Sequence, residues 1–265
     1  MPFTISHAVL APPLSKLTGN RLPISALAIG TMAPDLFRLF TNADYDGSHQ
    51  WSGLIFPNLM FGLILCVLWY TLYRPMMFAF FGLNKPLNIA GLNQFCGFII
   101  SLILALLVGT STHLIWDGLT HVDFRTFAFK EVLSLPIQLF GNSYPLHRVL
   151  QIGLSALALP VLAWMVYRHH LHYRSKMTIH RNVKIYVYSL SIASLLAGIL
   201  SYFYFAESVY SEAFAHDLYA YVGKSINYFF RAFLGMFTAG SMIFAILKSR
   251  TNIFQNHPDN LHANR

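Results

Sequence analysis

Three side chains that bind metals or move protons recur at four-residue steps in His113-Leu-Ile-Trp-Asp117-Gly-Leu-Thr-His121. On a helix, positions i, i+4 and i+8 stack along one face. Imidazole nitrogen and carboxylate oxygen are the donors zinc takes in catalytic sites, where three protein ligands leave one position for water. The bland alternative for the same residues is a hydrogen-bonded His113/Asp117 pair closing the end of a helix, with His121 in the wet interface.

Further candidates lie earlier in the chain. Ser6-His7, Met32-Ala-Pro-Asp35 and Ser48-His49 each set an ionisable group beside an apolar stretch. Asp35 follows a proline, which disfavours helix in the residue before it, so the sequence predicts that Asp35 begins a new segment. Ionisable groups near hydrocarbon are costly unless paired or coordinating. His7, Asp35, His49, His113, Asp117 and His121 together therefore read as a metal site for zinc or another divalent transition metal, holding one ion or a pair. Asp117 and Asp35 are the candidates for a catalytic base.

These groups need a scaffold, and the composition says which. Of 265 residues, 55% are hydrophobic and 11% are charged, against roughly 25% charged in an ordinary soluble domain. A bilayer core takes about 20 apolar residues in helix. Five segments reach that length, at about 52–73, 92–116, 149–167, 184–206 and 226–247. The fold class is all-α: a polytopic membrane helical bundle of about five transmembrane helices, with one or two short N-terminal buried or re-entrant helices. The latter are a helix from about 5 to 18, kinked by Pro12 and Pro13, and the apolar run 22–33, too short for an ordinary span. If that run extends to Phe40 it becomes a full span and the N-terminus changes sides.

The formal charge of +8 is distributed beside apolar runs, which marks membrane orientation rather than nucleic-acid binding. Segment 168–184 carries Arg168, Arg174, Lys176, Arg181 and Lys184 without an acid, whereas 207–224 carries Glu207, Glu212 and Asp217 against Lys224. The first is expected in the cytoplasm and the second outside. Alternation then puts the C-terminus inside and brings His49 and His113–His121 to the same external side. Arg168-His169-His170-Leu171-His172 falls on the other side among cations and reads as a cytoplasmic anchor. His216 and Asp217 stay outside the proposed site. Cys66 and Cys96 lie in apolar stretches and support neither a disulfide framework nor a Cys-rich zinc site. The start of the chain lacks the pattern of a removable signal peptide.

Met1-Pro-Phe-Thr-Ile-Ser-His7, Ile29-Gly-Thr-Met-Ala-Pro-Asp35, Ser48-His49, Thr112-His113-Leu-Ile-Trp-Asp117 and Tyr144-Pro-Leu-His-Arg148-Val-Leu-Gln151 resemble the domain-of-unknown-function family numbered 4184, membrane proteins of bacteria and archaea. The resemblance covers about residues 1–168; residues 169–265 add a basic loop and two further spans to the same domain. A more distant similarity in the order of His, Pro-Asp, His and His-x-x-x-Asp leads to membrane-bound metal-dependent hydrolases and, more remotely, to the zinc-dependent phospholipase C group. It implies ligands at His7, Asp35, His49, His113, Asp117 and His121.

Asn58 departs from that pattern, standing where related sequences often carry an acid, so a second general base there is in doubt; its amide remains a candidate substrate contact. Tyr144 and Arg148 are the other candidates, Arg148 either gripping a phosphate through its bidentate fork or snorkelling to the interface. The function expected is a membrane-embedded metal-dependent hydrolase acting on an ester or phosphoester of lipid or envelope origin, at the external face of a bacterial inner membrane. The alternative is a non-enzymatic membrane protein whose structural metal or polar site serves transport or assembly. The partners expected are the lipid bilayer and such a substrate.

Overall fold

The computed structural model describes residues 4–41, 45–175, 179–208 and 218–250. Among them, five helices are long and apolar enough to cross a membrane: Trp51–Phe81, Leu92–Thr120, Leu146–Tyr173, Arg181–Phe205 and Lys224–Arg250, hereafter the first to fifth spans. The protein is an all-α, multi-pass membrane protein whose N-terminal helices fall short of a span. Glu212, His216, Asp217 and Lys176 lie outside the described residues.

Two compact units form, one from the described residues of Met1–Cys66 and Pro86–Leu171, the other from those of Val67–Lys85 and His172–Arg265. In the second unit Met76, Val183, Val187, Leu190 and Phe244 make a buried core. The Tyr186 hydroxyl donates to the Gly240 carbonyl at 2.7 Å, and Tyr73 and Thr238 share a 2.6 Å hydrogen bond. These bonds satisfy polar groups that lipid cannot.

The first unit holds every sequence-predicted site residue. A 3-10 helix, Thr4–Leu10, hands over to the α-helix Ala11–Leu17, whose first turn carries Pro12 and Pro13. That is where proline's missing N–H costs nothing, so the break falls ahead of the prolines rather than at them.

The next helix, Ile24–Phe40, is 17 residues long and runs straight through Pro34. Its length of about 26 Å is less than the roughly 30 Å of a hydrocarbon core. Asp35 thus sits within a helix and does not open a new segment, contrary to the expectation from the sequence. The reason lies in a neighbour. Proline strips a helix of one hydrogen bond to the carbonyl four residues back, here that of Gly30, and the Thr110 hydroxyl of the second span donates to that carbonyl at 3.2 Å.

The two helices cross at glycines. A Cβ built on Gly30 would stand 2.6 Å from the Leu106 carbonyl oxygen, and one on Gly109 would stand 2.5 Å from that of Leu27. Only hydrogen at both positions permits this approach, the small-residue contact by which helices associate in lipid.

After the second span the chain forms a short helix, Lys130–Leu133, and a two-stranded antiparallel hairpin, Pro136–Leu139 with Asn142–Pro145. Phe140 and Gly141 turn it with φ of 51° and 80°, the paired positive values of a tight hairpin turn.

Candidate metal centre

Polar tethers fix the segments that carry His7 and His49. His7 sits on the 3-10 helix, where the neighbouring Ser6 hydroxyl reaches Ser155 of the third span at 3.4 Å. His49 follows the short turn Tyr45–Ser48; the Asn58 amide donates to the Ser48 carbonyl at 2.7 Å and holds that turn in place. Asn58 belongs to the irregular start of the first span, where Phe56 (φ −124°, ψ 119°) and Pro57 interrupt the helix. His113 and Asp117 lie one turn apart near the end of the second span.

These side chains converge. His49 Nε2 lies 3.1 Å from Asp35 Oδ1, and His113 Nε2 lies 3.5 Å from Asp117 Oδ2 and 3.9 Å from Asp35 Oδ1. His7 Nε2 is 3.9 Å from Asp117 Oδ1, and His49 Nε2 is 4.0 Å from Asp117 Oδ2. His7, Asp35 and His113 form one candidate ligand group, and His49, His113 and Asp117 a second that shares His113. Two donor atoms bound at about 2.1 Å to one zinc ion in tetrahedral geometry stand roughly 3.4 Å apart. The observed separations bracket that spacing, so each of the two three-residue groups suits an ion.

Protonation sharpens the fit. His113 Nδ1 lies 2.8 Å from the Thr31 carbonyl, which only accepts, so Nδ1 carries a proton and Nε2 of the neutral ring presents a lone pair. That lone pair faces two carboxylates. His113 Nε2 and His7 Nε2 are buried without a hydrogen-bond partner among the described residues, an arrangement that costs about 1–3 kcal/mol per unsatisfied group unless a proton or a cation lies between. His49 Nδ1 lies 2.9 Å from the Ser48 hydroxyl, so this ring too is positioned through the nitrogen that does not face the carboxylates. Metal-binding imidazoles are oriented in this way, through the ring nitrogen that does not touch the ion.

The electrostatics favour neutral imidazoles at His7 and His49 and an ionised carboxylate at Asp35. Burial lowers the pKa of His7, with the adjacent His113 adding to the effect, and burial likewise lowers that of His49 against the pull of Asp35. Asp35 is held well below the usual carboxylate range: burial alone would raise it, but His113, His49 and His7 outweigh that.

His121 ends the second span. Its Nδ1 is 3.1 Å from the Asp117 carbonyl and 3.6 Å from Asp117 Oδ1, which places it at the rim of the cluster. Burial pushes His121 down to about 4, with Asp117 opposing and Arg125 reinforcing.

Arg125 is the residue that sequence reasoning missed. It donates from Nη1 to Asp117 Oδ2 at 2.8 Å and from Nε to both oxygens of Asp123, at 3.0 and 3.1 Å. The loop reaches back because the Phe127 ring lies on Gly118, where an added Cβ would come within 2.1 Å of it. The signal was present: a buried carboxylate demands a counter-charge, and Arg125 is the first cation after Asp117. Arg125 also lines a cavity of about 290 Å³ with His49, Gln50, Trp51, Ser52, Leu114 and Phe124.

The remaining candidates stand apart. Tyr144 lies on the hairpin and Arg148 at the start of the third span, both exposed. Among the described residues, no hydrogen bond or ion pair joins either to the cluster. Asn58 is fully buried and acts on His49 through Ser48, while its Oδ1 has no partner among the described residues. The His169–His172 stretch occupies the last turns of the third span.

No curated protein and no solved structure matches the chain. A family model does match, over residues 1–247, a stretch that takes in His7, Asp35, His49, His113 and Asp117 together with most of the fifth span. The chain accordingly belongs to the family described as Domain of unknown function (DUF4184).

Proposed function

We propose that the protein is a membrane-embedded metal-dependent hydrolase acting on an ester or phosphoester of lipid or envelope origin. The observation that carries this reading is the pair of buried Nε2 atoms of His7 and His113, without a hydrogen-bond partner among the described residues and turned toward the carboxylates of Asp35 and Asp117. His7, His49, His113, Asp35 and Asp117 would hold zinc or another divalent transition metal, since mixed imidazole and carboxylate donors suit those ions. Such an ion supplies a Lewis acid and brings bound water toward a pKa of about 7.

The chain's own groups divide the remaining work. Asp117 is anchored by Arg125, which suits it to ligation more than to proton transfer, and Asp35 lies among the imidazoles of His49 and His113. His121 donates its Nδ1 proton to the Asp117 carbonyl and so keeps a lone pair on Nε2, at the rim, as a proton acceptor. The site faces the exterior of a bacterial cytoplasmic membrane. Support for that side comes from the cations of 168–184 and their expected cytoplasmic position.

The test is elemental analysis of the purified protein and of His113→Ala, with hydrolysis of bis(4-nitrophenyl) phosphate measured on the same samples. Stoichiometric transition metal and metal-dependent turnover in the wild type, both lost in the variant, are the expected results. Metal without turnover leaves a structural site, and no transition metal in the wild type removes the mechanism.

A further inference from the structure

The cavity beside the cluster has a mixed lining. His49, Gln50, Ser52 and Arg125 bring polar groups to its lining, and Trp51, Leu114 and Phe124 bring apolar ones. Trp51 begins the first span and is 54% exposed, the position that indole takes at the membrane–water interface. At about 290 Å³ the cavity is at or just below the lower end of the roughly 300–1,000 Å³ of small-molecule sites. It has room for a head group, and acyl chains of a bound lipid would remain in the bilayer beside Trp51.

Arg125 is the cation of this cavity, with a side chain only 8% exposed. Among the described residues its fork meets two carboxylates. Asp117, 3% exposed, takes Nη1, while Asp123, 35% exposed, takes Nε and Nη2. The two partners are unequal. Asp117 is buried within the cluster and cannot leave, but Asp123 sits at the loop surface, where its Oδ1 also accepts from the Arg125 backbone N–H at 2.9 Å, so it can leave the guanidinium for water and keep that bond within the loop. A carboxylate held bidentately on guanidinium occupies the geometry that a phosphate oxyanion takes.

We propose that this cavity is the head-group subsite of the enzyme, in which the phosphate or phosphoester of an anionic lipid displaces Asp123 from Arg125 while Asp117 stays bound. The assignment of that anion as substrate rests on the hydrolase reading; the subsite itself does not. Asp123 is then an internal stand-in for substrate that keeps the guanidinium oriented when the cavity is empty. The same displacement gives selectivity, because a neutral head group offers no charge to exchange for the Asp123 carboxylate.

The two carboxylates and the arginine give opposed predictions. Binding of inorganic phosphate to the metal-loaded protein in detergent is measured by calorimetry. Retention of phosphatidic acid is measured by native mass spectrometry after release from phosphatidylcholine nanodiscs with and without that lipid. Asp123→Asn is expected to tighten binding roughly tenfold, and Arg125→Gln to weaken it by at least as much, in line with one charge-assisted hydrogen bond. Arg125→Lys, which keeps charge but loses the fork, is expected to fall between.

If phosphate and lipid both follow this order, the shared phosphoryl group is the determinant; if lipid alone does, the apolar lining is needed as well, and both results support the subsite. Equal anion binding in wild type and Arg125→Gln, or binding weakened by Asp123→Asn, overturns it. Metal content is measured alongside. A wild type without metal overturns the hydrolase reading and leaves an Arg125-dependent anion site standing.

Discussion

The imidazole of His113 donates from Nδ1 to the main-chain carbonyl of Thr31 at 2.8 Å. One bond thereby sets the tautomer of a candidate ligand on the second span and ties that span to the helix that carries Asp35. A few ångströms away, the Thr110 hydroxyl caps the Gly30 carbonyl that Pro34 leaves without its helical donor. The two contacts and the Gly30/Gly109 crossing act as a single clamp, so site geometry and helix packing are one problem in this part of the chain.

The Thr110 bond can be isolated by a double-mutant cycle. Thr110→Val keeps the shape but leaves a buried carbonyl unsatisfied, and is expected to destabilise the protein by about 1 kcal/mol. Pro34→Ala restores the N–H at position 34, which reaches the same carbonyl in a regular helix. In that background the cost of Thr110→Val is expected to shrink toward zero, a coupling read from unfolding in mixed micelles. Equal costs in both backgrounds would show that Thr110 does not compensate for the proline.

Asn58 offers a second test, because it touches no candidate ligand directly. Its amide holds the Ser48 carbonyl, and Ser48 in turn meets His49 Nδ1. Loss of a partner that orients a ligand costs about 10- to 100-fold in metal affinity. Asn58→Ala is expected to weaken metal binding by that order in competition with a chromophoric chelator, while the fold survives by circular dichroism. Metal affinity unchanged from wild type would mean that Ser48 and His49 hold their places without the amide.

Much of this was legible in the residues. Apolar length announces a span because hydrocarbon satisfies no backbone group, and all five spans were found to within a few residues at most of their ends. His113 and Asp117 were legible because helix periodicity alone puts them on one face. Asp35 was misplaced because a proline usually ends a helix; the rescue comes from Thr110, 76 positions downstream by number, and no local pattern announces it. Arg125 was hidden for a related reason. Its contact with Asp117 depends on the loop folding back over Gly118, whereas its neighbours Asp123 and Phe124 read as ordinary loop. The hairpin at 136–145 escaped notice because four-residue strands flanked by proline carry little alternation.

The expected sidedness is open to a direct measurement within the first unit. Ala90 and Ser134 are exposed residues that flank the second span, one before Leu92 and one after Thr120, so a single crossing separates them. With Cys66 and Cys96 replaced by serine, Ser134→Cys is expected to react in intact cells with a membrane-impermeant maleimide, and Ala90→Cys only after permeabilisation. The charge argument requires this order, because 74–91 carries Arg74 and Lys85 without an acid and cations are retained on the cytoplasmic side. The reverse pattern would put the His113 cluster on the cytoplasmic face. The metal chemistry would survive that result, but the substrate would then have to be an ester presented by the inner leaflet.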